Sequence, residues 1–200
     1  MKVEECPQCG APAKLNSKKC EYCKAEYIIC SISSLANIDK SGVEKYINHY
    51  KGLLKSNQDD GEALLSLGVC YLKLQNYQLS QKYLEKAIEL MPDVPDVYYY
   101  YALTLIKGRR LKTLSMKEVT QILENINTAI QMNDSNPNYD FLAAMVKNDY
   151  FITNGMNEPL PSCEDHLQNT NNKIKNENEI EQLIKFAPVS DDSILKYINN

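Results

Sequence analysis

Two Cys-x2-Cys pairs, Cys6-Pro7-Gln8-Cys9 and Cys20-Glu21-Tyr22-Cys23, stand ten residues apart at the start of this 200-residue chain. So short a segment cannot bury a core of its own, so what its thiols bind must supply its folding energy. Four thiolates can occupy the corners of a tetrahedron about 2.3 Å from one Zn²⁺. Such a shell leaves no position for water, which makes the expected ion structural rather than catalytic. Iron takes the same ligand set, and the spacing does not choose between the two metals. Gly10 follows the first pair and suits a tight knuckle, because it reaches φ > 0 without strain. Read alone, Cys-Pro-Gln-Cys also fits a redox dithiol. That reading wants a βαβ setting, which the sequence does not offer, and leaves the second pair without a role.

With its two knuckles, the segment 4–30 resembles a zinc ribbon of the rubredoxin-like kind. The resemblance implies one zinc ion on Cys6, Cys9, Cys20 and Cys23 and a small β ribbon, with Tyr27-Ile28-Ile29 as its last strand. Lys24 departs from the family, which usually has Gly after the second pair as well. Some ribbons bind nucleic acid, and Lys14, Lys18 and Lys19 could form a small patch. Residues 1–30 carry five Lys and four Glu. Four thiolates and one divalent ion add -2, which is poor footing for phosphate. Solvated loop lysines are the plainer reading.

From residue 61 the apolar period becomes helical. Leu64, Leu67, Gly68 and Tyr71 share one helix face. A break at Gln75-Asn76 precedes a second face of Tyr77, Leu84, Ala87 and Ile88, and Pro92 follows. On a 34-residue frame this is L-x2-L-G-x2-Y, then Ala, then Pro, and the segment Gly61–Val94 resembles a tetratricopeptide repeat. By that resemblance Gly68 and Ala87 let two antiparallel helices approach, and Ser80 stands where the family prefers Ala. A second unit begins at Pro95, with Tyr98, Tyr101, Ala102 and Leu105 at matching positions. Ala129-Ile130-Gln131-Met132 echoes Ala87-Ile88-Glu89-Leu90 at 42 residues rather than 34, so eight residues are inserted, most naturally in Lys107–Ser115. Ser115-Met116-Lys117-Glu118 is a capping box that opens a helix with Val119, Ile122, Leu123, Ile126, Ala129 and Ile130 on its buried stripe. Ser41–Ser56 reads as a leading helix and Tyr139–Phe151 as the first helix of an incomplete third unit. The expected fold is therefore mainly α, a short TPR-like α-solenoid of antiparallel helix pairs with a small N-terminal β zinc ribbon. A helical bundle with chance repeat spacing is the alternative.

The resemblance also implies a concave surface, lined here by Leu65, Val69, Leu72 and Lys73, then Tyr99, Leu103, Ile106 and Lys107. A carboxylate clamp uses Asn and basic residues in this groove, so these apolar residues rule one out. They suit an amphipathic helix of another protein or this chain's own tail, unless neighbouring helices simply bury them. In Tyr98-Tyr99-Tyr100-Tyr101, successive side chains diverge by about 100°. Two should enter the core, Tyr99 should face the groove and Tyr100 solvent.

Arg109 and Arg110 are the only arginines. With Lys107 and Lys112 they form a basic loop that could hold a phosphate or an acidic segment, the alternative being a solvated loop. Residues 158–200 carry eight acids and four Lys, so the tail is one acidic candidate. Asn157–Asn178 reads as a polar linker, in which Cys163 and His166 resemble half a metal site without a second half and count as incidental. His49 reads as a helix-surface residue. Glu179–Ala187 and Ser190–Ile198 read as short helices that need something to fold against. The layout is thus a ribbon at 1–30, a linker and leading helix at 31–57, repeats at 58–156, a linker at 157–178 and a helical segment at 179–200. No apolar run is long enough to span a membrane. The start lacks the pattern of a leader, which sets the expectation of a cytoplasmic protein. No Gly-rich phosphate loop or catalytic triad appears. The function implied is a non-enzymatic adaptor that binds another protein. A nucleic-acid-associated ribbon whose repeats recruit a partner comes second, and a thiol redox protein third.

Overall fold

The computed structural model describes residues 4–14, 17–171, 177–190 and 194. The described chain is mainly helical and divides into two compact units, Met1–Pro92 and Asp93–Asn200. The boundary falls inside the 58–156 segment expected as one run of repeats.

In the first unit, α1 (Lys40–Ser56), α2 (Gly61–Lys73) and α3 (Tyr77–Leu90) pack in sequence, α1 on α2 and α2 on α3. Each start is set by a short polar side chain, as N-capping requires. Asp39 accepts from Gly42 N–H (2.7 Å), Asp60 from Ala63 N–H (2.9 Å) and Asn76 from Leu79 N–H (3.2 Å). Gln75 turns left-handed at φ 57° to close α2, the usual device after a helix end. The α2/α3 hairpin is tight where the repeat spacing places it. A methyl group on Gly68 would sit 2.5 Å from Leu84 Cγ. Ser80 keeps this approach and adds to it, because its hydroxyl donates to the Gly68 carbonyl at 2.8 Å.

In the second unit, α4 (Pro95–Ile106) pairs with α5 (Met116–Met132), α5 packs on α6 (Pro137–Val146), and α6 on α7 (Cys163–Asn171). The Ser115–Glu118 capping box is formed in both directions. The inserted loop carries a 3₁₀ turn, Leu111–Thr113, whose Leu111 is buried, as is Leu114 beyond it. Beyond α6 the chain runs on as a π-helical stretch, Lys147–Ile152.

Helix α7 corrects the linker expected at 157–178. It makes the third hairpin a helix pair rather than a single helix. Its buried face is Cys163, His166, Leu167 and Thr170, spaced i, i+3, i+4, i+7. Only Leu167 among them looks strongly apolar, which hid the stripe. Ser162 and Asp165 cap its start: Ser162 N–H donates to Asp165 Oδ2 (2.7 Å), and Asp165 N–H to Ser162 Oγ (3.1 Å). Helix α8 (Glu177–Phe186) follows where Glu179–Ala187 was expected and touches α6. Most of the second tail segment, Ser190–Ile198, lies outside the described residues.

Candidate metal centre

The two knuckles are local copies of each other, 14 residues apart. Gly10 N–H donates to Cys6 O (2.9 Å) and Lys24 N–H to Cys20 O (3.0 Å). Cys6 N–H donates to Ala11 O (2.7 Å) and Cys20 N–H to Ala25 O (2.9 Å). Glu5 bridges to Pro12, and Lys19 to Glu26, in antiparallel fashion. Gly10 and Lys24 both take left-handed conformations, φ 71° and 62°. The second knuckle therefore keeps its shape without glycine, and Lys24 Nζ donates back to Glu21 O at 2.8 Å. The expected strand at Tyr27-Ile28-Ile29 does not form. Among the described residues of this segment, β structure is limited to the two isolated bridges, since each knuckle uses its backbone groups on its own turn.

This repetition brings the four sulfurs together. Cys6 Sγ lies 3.6 Å from Cys23 Sγ and Cys9 Sγ 3.7 Å from Cys20 Sγ. All four lie within 4.8 Å of one another. A regular tetrahedron with metal–sulfur bonds of about 2.3 Å has edges of about 3.8 Å, so the donor set fits a single four-coordinate ion. Close contacts run across the two pairs as well as within them, which suits a shell shared by all four sulfurs. Cys6 and Cys20 are buried with Tyr27 in a small apolar cluster.

The sulfurs also sit in unlike surroundings. Burial pushes the Cys6 thiol up to about 12, against the pull of the Cys9 and Gln8 N–H groups. Hydrogen bonding from Cys23 N–H, then from Tyr22 N–H, draws Cys20 down to about 6. Burial raises Cys23. A bound cation would replace the protons that burial otherwise holds in place.

The module is fastened to α1. Gln8 Nε2 donates to Gly42 O at 2.7 Å, and a methyl group on Gly42 would meet Gln8 Oε1 at 3.1 Å. Tyr46 OH donates to Glu26 O. Ile29 N–H donates to Tyr50 OH at 2.9 Å. Both tyrosines are fully buried, and burial raises both hydroxyls, so they stay protonated at neutral pH. The cysteine segment is thus part of the first unit rather than a bead on a linker. Of its lysines, Lys14 pairs with Glu21 (2.6 Å) and Lys19 with Glu26 (3.5 Å). That leaves Lys18 as the exposed remainder of the expected patch.

The other expected sites fare differently. Leu65, Val69, Leu72, Tyr99, Leu103 and Ile106 are all buried, with Lys73 half-buried. They therefore do not line an open groove. In the second unit the cause is visible, since the Tyr99 ring packs 5.1 Å from that of Tyr139 on α6. The next hairpin takes up the face expected to be free. Tyr100, expected outward, is buried too. Arg109 is engaged internally: its Nη2 meets Glu118 Oε1 at 2.6 Å and its Nε donates to Ile106 O at 3.2 Å. It ties the end of α4 to the start of α5. Lys107 and Arg110 are exposed. The Lys112 backbone N–H donates to Asp149 Oδ2 (2.9 Å). His49, expected on the surface, is half-buried with its ring 5.4 Å from Tyr50.

Sequence reasoning missed two buried polar clusters. His166 Nδ1 is hydrogen-bonded to Asp140 Oδ1 at 2.9 Å, both almost wholly buried, and Cys163 Sγ points at Ala144 O. The half-site residues are thus packing and hydrogen-bonding partners of α6. Asp149, also buried, accepts from Lys112 and from Ser190 N–H (2.6 Å). Leu111 N–H donates to Pro188 O at 3.3 Å. Among the described residues, the segment after α8 therefore docks in cis through the Pro188 carbonyl and the Ser190 N–H.

Among the described residues no helix is long and apolar enough to cross a membrane. No curated protein matches the chain. Residues 61–94, the end of the Asp60 cap through α2, α3 and the turn after them, match the tetratricopeptide repeat family model.

Proposed function

We propose that the protein is a non-enzymatic adaptor. In this reading Cys6, Cys9, Cys20 and Cys23 hold one structural Zn²⁺, and the helical repeats present a binding surface to another protein. The observation that carries it is the joining of a four-sulfur shell, through Gln8, Tyr46 and Tyr50, to the helix on which the repeat hairpin packs. Such a centre has no open coordination position, so its work is to hold shape. Tetratricopeptide repeats commonly bind proteins or peptides, and the match at 61–94 supports that role here.

The test is affinity purification of the tagged chain after crosslinking, read by mass spectrometry beside a Cys9→Ser/Cys20→Ser variant. A protein recovered in near-equal amount with the wild type and lost with the variant is the expected result. Recovery of no protein, together with turnover of a small molecule by the purified chain, would overturn the reading.

A further inference from the structure

Residues 1–92 carry 12 Lys and 11 acids, so this unit is nearly neutral. A third of its lysines nonetheless converge on one place. Lys51 and Lys55 stand i, i+4 on α1, and Lys82 and Lys86 stand i, i+4 on α3. All four line a single cleft of about 420 Å³, whose apolar lining includes Leu54 and Tyr83. Gln58 and Leu64 complete it, with no carboxylate among the described lining residues.

This arrangement carries an electrostatic cost. Like charges at i, i+4 on a helix repel, and here two such rows share one cleft. The counter-charge supplied is slight. Lys86 Nζ lies 3.6 Å from Asp59 Oδ1, a carboxylate that is 73% exposed, and such a pair contributes little. Lys51 Nζ sits 5.6 Å from the centroid of the Tyr71 ring, which stacks on Tyr83 at 5.5 Å. The aromatic pair thus steadies one ammonium group and forms an apolar wall beside the others.

We propose that this cleft docks an acidic peptide segment of a partner protein. An apolar side chain of the segment enters beside Leu54 and Tyr83, and its carboxylates meet the four ammonium groups. The inference rests on the adaptor reading and names its partner's chemistry. A peptide fits better than a nucleic acid for two reasons. Each lysine row spans only about 6 Å of helix, and the near-neutral unit has no extended positive field for a long polyanion. The lysines lie on α1 and α3, away from the α2 positions Leu65, Val69 and Leu72 expected to line a groove.

Fluorescence anisotropy with the zinc-loaded full chain tests it. The probe is a labelled peptide of about ten residues with Asp and Glu on both sides of a Leu-Leu pair. Controls are the same peptide with Asn and Gln for its acids, with Gly-Gly for Leu-Leu, and a single-stranded oligonucleotide of equal charge. Saturable binding is expected, weakening about tenfold or more between about 50 and 300 mM salt and about tenfold without the leucines. Lys55→Glu/Lys82→Glu should lower affinity at least about tenfold. Lys55→Gln/Lys82→Gln should also lose affinity while melting no lower than wild type, since it removes repulsion. That second variant guards against simple misfolding. Absence of binding at low salt, equal affinity for the oligonucleotide, or affinity unchanged in both variants would overturn the proposal. A partner recovered equally by wild type and the Gln variant would overturn the cleft and leave the adaptor reading standing.

Discussion

At the scale of single residues, the glycines show how one substitution can change sign with its surroundings. Gly52 lies exposed inside α1, and a methyl group there would meet nothing within 4 Å. Gly52→Ala should therefore stabilise the protein by about 0.5–1 kcal/mol, the usual difference in a helix interior. Gly68→Ala should destabilise it by about 1–3 kcal/mol, because the added methyl overlaps Leu84 and forces the α2/α3 crossing apart. Urea denaturation of both variants checks the pair, and equal signs would contradict this account of the hairpin. Gly68 was legible in the sequence because repeat spacing puts a small residue at a helix crossing. The bond from Ser80 to the Gly68 carbonyl was not, since spacing says nothing of where a hydroxyl points. Lys24 was visible as a departure from glycine, but only its backbone angle shows that the knuckle absorbs it.

Among the elements, the start of α5 depends on charge. Glu118 receives the Arg109 guanidinium, then the Ser115 N–H and hydroxyl, and these hold its carboxyl down at about 2. A carboxylate lowered in this way adds stability above its ordinary value of 4.5, and that contribution fades as pH falls toward 2. Glu118→Gln should therefore melt below wild type near pH 6, and the two melting curves should converge as pH approaches about 2, as followed by circular dichroism. Asp149 anchors two segments at once, through Lys112 and Ser190. Asp149→Ala leaves both N–H groups without their acceptor and should cost about 2–3 kcal/mol. Hydrogen exchange should speed up at both amides together, whereas acceleration at one alone would mean the loop and tail are held separately. Helices α2 to α6 were legible from their apolar stripes and breaks, with the capping box adding to the signal at α5. Helix α7 was not, because its buried face is built from cysteine, histidine and threonine. Their burial depends on hydrogen bonds to α6 that no periodicity announces.

For the molecule as a whole, the N-terminal module and α1 should behave as one cooperative piece. Through the module's hydrogen bonds to Gly42, Tyr46 and Tyr50, an ion held by the four cysteines would contribute to the first unit's stability. Chelation should unfold residues 4–30, expose Tyr46 and Tyr50 to solvent and lower the first unit's melting temperature. Tyrosine fluorescence and thermal melts would show this, and an unchanged melt would contradict the coupling. Acid should release the metal as well, because protons compete for the thiolates. The convergence of the four cysteines could be read from the spacing of the two pairs, which bring their sulfurs within 4.8 Å of one another. The attachment to α1 could not, because Tyr46 and Tyr50 look like any helix-face tyrosines until their hydroxyls are placed. The most direct test is elemental analysis of metal per chain in freshly purified protein, alongside Cys9→Ser and Cys23→Ser. About one zinc per wild-type chain and a marked loss in both variants are expected. Wild-type protein without bound metal, or variants that keep a full complement, would contradict it.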